Sequence, residues 1–184
     1  MRMAAPDTPD WEALLPSKDA REAALYARFE TLGISWKTHA HEPVFTVEEA
    51  QALRGALPGL HTKNLFLKDK AGGLWLVVAR EALKIDLNAL AKALPAPRFS
   101  FGAPQLLVET LGIAPGAVTP FSLVNDAQAR VTAVFDAGLM QADMLNFHPL
   151  RNDRTTAIRA RDLLLFAEAT GHTPMVLDLP ERAS

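Results

Sequence analysis

The 184-residue chain contains no cysteine. A disulfide framework, a thiolate nucleophile and a cysteine-ligated zinc site are therefore all excluded. It has no basic excess either: 19 Lys and Arg against 21 Asp and Glu give a net charge of -2, with a pI near 6.2. That balance argues against a protein that coats DNA or RNA through many phosphate contacts, and leaves room for a small local one. No segment approaches the roughly 20 apolar residues needed to cross a bilayer. The N-terminal stretch has one early arginine but no apolar run of signal-peptide length. The expectation is a cytoplasmic protein without a membrane partner. The common catalytic signatures are missing as well: no GxSxG elbow, no Walker loop, no HExxH, and no GxGxxG following a strand.

What is present, 49% hydrophobic and 22% charged residues, suits one ordinary globular domain. Residues 1–16, rich in Pro, Asp and Ala, are expected as a mobile tail before a domain over 17–180. A helix is expected from Ser17 or Asp19, with Ala24, Leu25, Phe29 and Leu32 on one face and Gly33 closing it. "ISWKTHA" reads as a strand, and Thr46 with Glu49 forms a capping box for a short helix ending near Gly55. Asn64 to Leu67 and Leu74 to Ala79, either side of "KDKAGG", predict a hairpin with Lys63 at its entrance. Helices follow at "KIDLNALAKAL", capped by Asp86, and at "SFGAPQLLVETLG", with Pro104 in its first turn and Gly112 past its end. "TPFSLV", the turn "ND" and "ARVTAVF" predict a second hairpin. "DAGLMQAD" suits a short helix, "MLNFHP" and "RTTAI" short strands, "RDLLLFAEATG" a last helix and "MVLDL" a closing strand. No β-α-β repeat is evident, so the expected class is α+β, with a mixed, largely antiparallel sheet and packed helices.

Few residues offer chemistry. His39 and His41 alternate as ligands on a strand might, but lack a carboxylate in register and a third ligand, so no metal is expected. Lys63 beside Asn64 offers a mobile cation with an amide donor and acceptor, a pair suited to a phosphate or a carbonyl. In "GAVTPFSLVND", Gly116 permits close backbone approach and Pro120 stiffens the loop. In "NFHPLRND", His148 is the side chain best able to exchange a proton near neutral pH. After it, Arg151, Arg154, Arg159 and Arg161 against Asp153 and Asp162 leave two excess positive charges, the best candidate for a phosphate-facing edge.

Taken together, "HTKNLFLKDKAGGLWLVVA", "GIAPGAVTPFSLVND" and "NFHPLRNDRTTAI" resemble the aminoacyl-tRNA editing domains that include YbaK and the insertion domain of bacterial prolyl-tRNA synthetase. The resemblance runs from about Ser17 to Leu179 and is strongest to the free-standing branch that hydrolyses alanyl-tRNA(Pro). It implies a cofactor-free deacylase acting on the acceptor end of mischarged tRNA(Pro), with prolyl-tRNA synthetase as a docking partner. It implies Lys63 and His148 as catalytic residues. Lys63 would meet the terminal adenosine's phosphate or the substrate near the scissile ester, and His148 would exchange protons or orient the substrate. Asn64, Gly116, Thr119, Pro120 and Asn146 would bind substrate, the Gly116 to Pro120 loop holding the aminoacyl group and the attacking water. The vicinal ribose hydroxyl would help activate that water. A closed apolar pocket would refuse proline by size, because one methylene is worth only about 1–3 kcal/mol of attraction. Another mischarged tRNA such as Cys-tRNA(Pro), or a tRNA-binding module without catalysis, are the competing readings.

Overall fold

The computed structural model describes residues 8–43, 49, 52 and 57–183. The helix expected from Thr46 to Gly55 therefore falls outside the described residues apart from Glu49 and Ala52. A 3-10 turn at Trp11–Leu14 precedes the first helix, and Glu12 within it pairs with Arg21 at 2.8 Å.

Helices form where end signals and apolar spacing agree. Helix α1, Lys18–Leu32, starts at Ser17, whose Oγ accepts from the Ala20 amide, and stops at Gly33 in the left-handed region, φ 69°. Helix α2, Leu87–Ala93, has Asp86 as its cap, accepting from the Ala89 amide. Helix α3, Pro104–Leu111, opens on proline and closes on Gly112, φ 62°. Helix α4 is Ala160–Ala169.

The strands are β1 Lys37–Ala40, β2 Leu60–Asp69, β3 Leu74–Arg80, β4 Phe99–Phe101, β5 Val131–Asp136, β6 Met144–Phe147, β7 Arg154–Arg159 and β8 Met175–Leu177. Their order is β1-β7-β6-β2-β3-β5-β8, and β4 pairs with β2 off this path. Pairs β1–β7, β2–β3, β2–β4 and β6–β7 are antiparallel; β2–β6, β3–β5 and β5–β8 are parallel. The expected α+β class with a mixed sheet and packed helices is what the chain adopts.

The hairpin expected around "KDKAGG" forms, and Asp69 ties its turn by accepting from the Ala71 and Gly73 amides and from the Trp75 indole. Strand β2 begins three residues before Lys63, which pairs with Ala79 inside the ladder. Lys63 is thus an interior strand residue, not one at a strand's entrance. The second expected hairpin does not form. Pro120–Asn125 is a 3-10 helix, and β5 lies parallel to β3. The reason is local: Pro120 has a fixed φ and no amide to give a ladder, and Thr119 Oγ1 accepts from the Phe121 amide, as a helix cap does.

Alternation along β2 and β3 divides the core. Phe66, Leu76 and Val78 face a cluster with Leu25 and Phe29 of α1, Leu107 and Leu111 of α3, and Leu163 and Phe166 of α4. Leu67, Val77 and Ala79 face the other way, onto Leu83, Ile85 and Leu90. Phe29 meets Phe121 and Phe166 edge-on at 5.1 and 5.5 Å, so the 3-10 helix is sealed into the first cluster.

Candidate active site

Strand β2 changes partner along one edge. Leu60 and His61 pair with β6, and Leu67 to Asp69 pair with β4. The opposite edge runs unbroken along β3, where the His61 carbonyl accepts from Glu81 and the Asp69 amide donates to Gly73. On the broken edge the Phe66 carbonyl accepts from the Gly102 amide. Hydrogen-bonding groups alternate between edges, so the Asn64 peptide faces the interruption.

A cleft of about 190 Å³ lies here, lined by Asn64, Leu65, Phe66, Phe101, Gly102, Pro104, Leu107, Pro115, Gly116 and Val118. Its walls are mostly apolar. Asn64 Oδ1 is buried and has no hydrogen-bond partner. A buried carbonyl oxygen left without a donor costs about 1–3 kcal/mol, so a donor brought by a ligand or a water would be gained there. Gly116 has φ 92°, and a Cβ there would meet nothing within 4 Å. Its glycine answers a backbone requirement, and any side chain would project into open space at the cleft.

The sequence-expected residues do not all converge. Asn64 and Gly116 line the same cleft. Lys63 points to the other side of β2, where its ammonium donates to the Leu83 carbonyl. Burial lowers its pKa, Arg182 adds to that, and Glu81 opposes it. Thr119 and Pro120 are buried behind the cleft, and Thr119 serves the 3-10 helix: its carbonyl accepts from Ser122 Oγ at 2.6 Å. Asn146, also buried, donates Nδ2 to the Pro58 carbonyl at 2.8 Å, while its own carbonyl accepts from Thr62 Oγ1. It braces the start of β2.

His148 is half-buried, and its ring lies 6.2 Å from that of His41. Its Nδ1 donates to the Arg154 carbonyl at 2.9 Å, which leaves Nε2 as the acceptor of the neutral ring. His41 is held separately, by the Glu42 carbonyl and Thr155 Oγ1. Burial lowers the His148 pKa first, the nearby His41 lowers it further, and the Arg154 carbonyl and Asp153 oppose the shift. A depressed folded-state value means that the unfolded chain binds the proton more readily. The stability from neutral His148 is then complete above about pH 6.5 and is lost as pH falls through the lower folded value. Thermal melts from pH 8 to 5 should therefore show a flat midpoint that declines below about pH 6.5. In His148→Gln that part of the decline should vanish; an unchanged profile would remove His148 as its source.

The basic stretch does not form a free edge. Arg151 is 7% exposed and binds both oxygens of Asp153, at 2.6 and 3.0 Å, and Asp19 at 2.6 Å. Arg154 pairs with Glu22 of α1. Their charges are used internally, and only Arg159 and Arg161 of the four remain exposed. The apolar lining, Phe66, Leu107 and Val118, was not visible as a site in the sequence, because such residues read equally well as core.

The model of the aminoacyl-tRNA editing domain matches residues 41–166. A zebrafish protein named prolyl-tRNA synthetase associated domain-containing protein 1 is 41% identical over 139 residues, covering 74% of this chain and 76% of that one. The prolyl-tRNA editing protein ProX of Acetoanaerobium sticklandii is 34% identical over 162 residues, covering 88% and 98%. A crystal structure of a candidate trans-editing enzyme for prolyl-tRNA synthetase superposes with a TM-score of 0.67 at 23% identity, covering 91% and 99%, and shares the fold.

Proposed function

Since the chain belongs to the aminoacyl-tRNA editing domain family, we propose that it is a trans-editing hydrolase that deacylates mischarged Ala-tRNA(Pro). The observation that carries this reading is the small apolar cleft lined by Asn64, whose buried Oδ1 lacks a partner. At about 190 Å³ the cleft is below the roughly 300–1,000 Å³ typical of sites for drug-sized ligands, which suits a short aminoacyl group with its nucleoside left outside.

In this reading the α-ammonium of alanine donates to Asn64 Oδ1, and its methyl group meets Phe66, Leu107 and Val118. Gly116 brings the loop backbone up to the ester. The remaining loop residues act indirectly: Thr119 and Pro120 fix the 3-10 helix behind it, and Asn146 braces β2. An aminoacyl ester beside an ammonium group is already activated, so orientation of water and modest stabilisation of the carbonyl's developing negative charge suffice without a nucleophilic side chain. The vicinal ribose hydroxyl assists the water. His148, with Nε2 free to accept, takes or orients a proton at the edge of the site. Proline is excluded because its ring overfills walls built from rigid, packed side chains, and exclusion discriminates more sharply than attraction.

Lys63 supplies the cation for the terminal nucleotide's phosphate. An anion within its reach would compete with the neutral Leu83 carbonyl and win on charge. Lys63→Ala should therefore raise KM for aminoacyl-tRNA and reduce the slope of log affinity against log salt by about 1. A lower melting midpoint with an unchanged salt slope would make Lys63 a clip on Leu83 instead. The substrate partner is the acceptor end of tRNA(Pro), and the prolyl-tRNA synthetase that mischarges it is the protein on which a trans-editing factor would dock.

Gly116→Ala provides a further check. The left-handed backbone costs a non-glycine residue about 1–2 kcal/mol, which should lower the midpoint by only a few degrees. The added methyl group intrudes on the acyl site, so kcat/KM should fall about tenfold or more, as misplacement in a positioned site does. Normal turnover by a correctly folded variant would move the acyl group away from Gly116.

A further inference from the structure

Phe101, on strand β4, is 67% exposed. It lines the cleft. Its backbone is fixed from two sides, by pairing with Leu67 of β2 and by the Gly102 amide on the Phe66 carbonyl. Gly102 permits that approach, since a Cβ there would lie 2.5 Å from the Phe66 ring. The ring is therefore both presented to solvent and carried on rigid backbone.

Its direction follows from register. Directly opposed residues of an antiparallel pair share a face, so Phe101 lies on the face of Leu67, which by alternation is also the face of Lys63. Lys63 and Leu67 are four residues apart, about 13 Å along the strand. Leu65, between them on that same face, also lines the cleft. An exposed aromatic ring thus stands at the mouth of a cleft too small to hold a nucleoside.

Resting on the deacylase reading, we propose that Phe101 is the stacking platform for the base of the tRNA's terminal nucleotide. With the acyl group in the cleft, the ribose bearing the ester lies at its mouth. The base extends from it toward Phe101, and the phosphate toward solvent. Stacking on an aromatic ring tolerates any base, so this contact supplies affinity and orientation, while the cleft supplies amino acid selectivity.

The test uses a non-hydrolysable analogue, 3'-alanylamido-adenosine 5'-monophosphate, with titration calorimetry on the full chain. Phe101→Ala should weaken its binding by about 5- to 150-fold, the range for loss of one stacked base, and Phe101→Trp should retain it. The analogue lacking the base, alanylamido-ribose 5-phosphate, should bind wild type and Phe101→Ala equally. Unchanged binding of the adenosine analogue to Phe101→Ala overturns the proposal. So does an equal loss for both analogues, which would make Phe101 part of the acyl cleft. If the binding pattern holds while no aminoacyl-tRNA is hydrolysed, the stacking site stands and the deacylase reading fails. If hydrolysis is found and Phe101→Ala binds normally, only the stacking site fails.

Discussion

Asn64→Ala should lower kcat/KM for Ala-tRNA(Pro) by about 10- to 100-fold, the loss expected for one hydrogen bond to a charged group. The same substitution should leave the melting midpoint unchanged or raise it. Both effects follow from one observation: Asn64 Oδ1 is buried without a partner. Removing an unsatisfied buried acceptor relieves the native state, whereas removing the acceptor of a substrate ammonium disarms the site. Steady-state deacylation and a thermal melt on the same preparation test the pair. A large drop in the midpoint would show that the amide serves the fold. An unchanged kcat/KM would show that the ammonium binds elsewhere.

Arg151→Met should destabilise the fold by about 3 kcal/mol, because it strips a buried cation from Asp153 and from the buried Glu22. For a chain of this size that corresponds to a midpoint lowered by about 6–12 °C. Arg151 joins Asp153 to Asp19 at the start of α1 and lies 3.8 Å from the buried Glu22. Much of the Asp19 contribution is screened, since that side chain is 85% exposed, so the loss falls mainly on Asp153 and Glu22. The Arg151 guanidinium holds the Asp153 pKa down at about 2. Its stabilising contribution is thus complete above the ordinary carboxylate value of about 3.9 and is lost as pH falls toward 2. The variant should lack that acid-sensitive component. A midpoint within a degree of wild type, or an unaltered acid limb, would contradict this account.

Much of the fold was legible because local and tertiary preferences agree. Ser17, Asp86, Gly33 and Gly112 mark helix ends by capping chemistry that acts over three or four residues, and the hairpin around Asp69 is similarly local. Where the reading failed, distant partners decided. "TPFSLV" has strand-like composition, but Phe121 packs against rings from α1 and α4, and Pro120 cannot feed a ladder. The four arginines looked like a basic edge because Glu22 and Asp19, which consume two of them, lie some 130 residues away in sequence. Strand alternation could have separated Lys63 from Asn64, since adjacent residues point to opposite faces. What no sequence pattern reveals is that β2 changes partners beside Asn64, leaving a cleft and a buried oxygen without a donor.

Deacylation of tRNA(Pro) charged in turn with alanine, cysteine and proline is the most direct test, with wild type and Asn64→Ala assayed in parallel. Rapid loss of the alanyl ester, slower loss of the cysteinyl ester, a prolyl ester that survives, and an alanyl rate that falls in the variant are expected. Hydrolysis of prolyl-tRNA(Pro) at a rate comparable to the alanyl ester, or no hydrolysis of any of the three while tRNA still binds, would contradict that expectation.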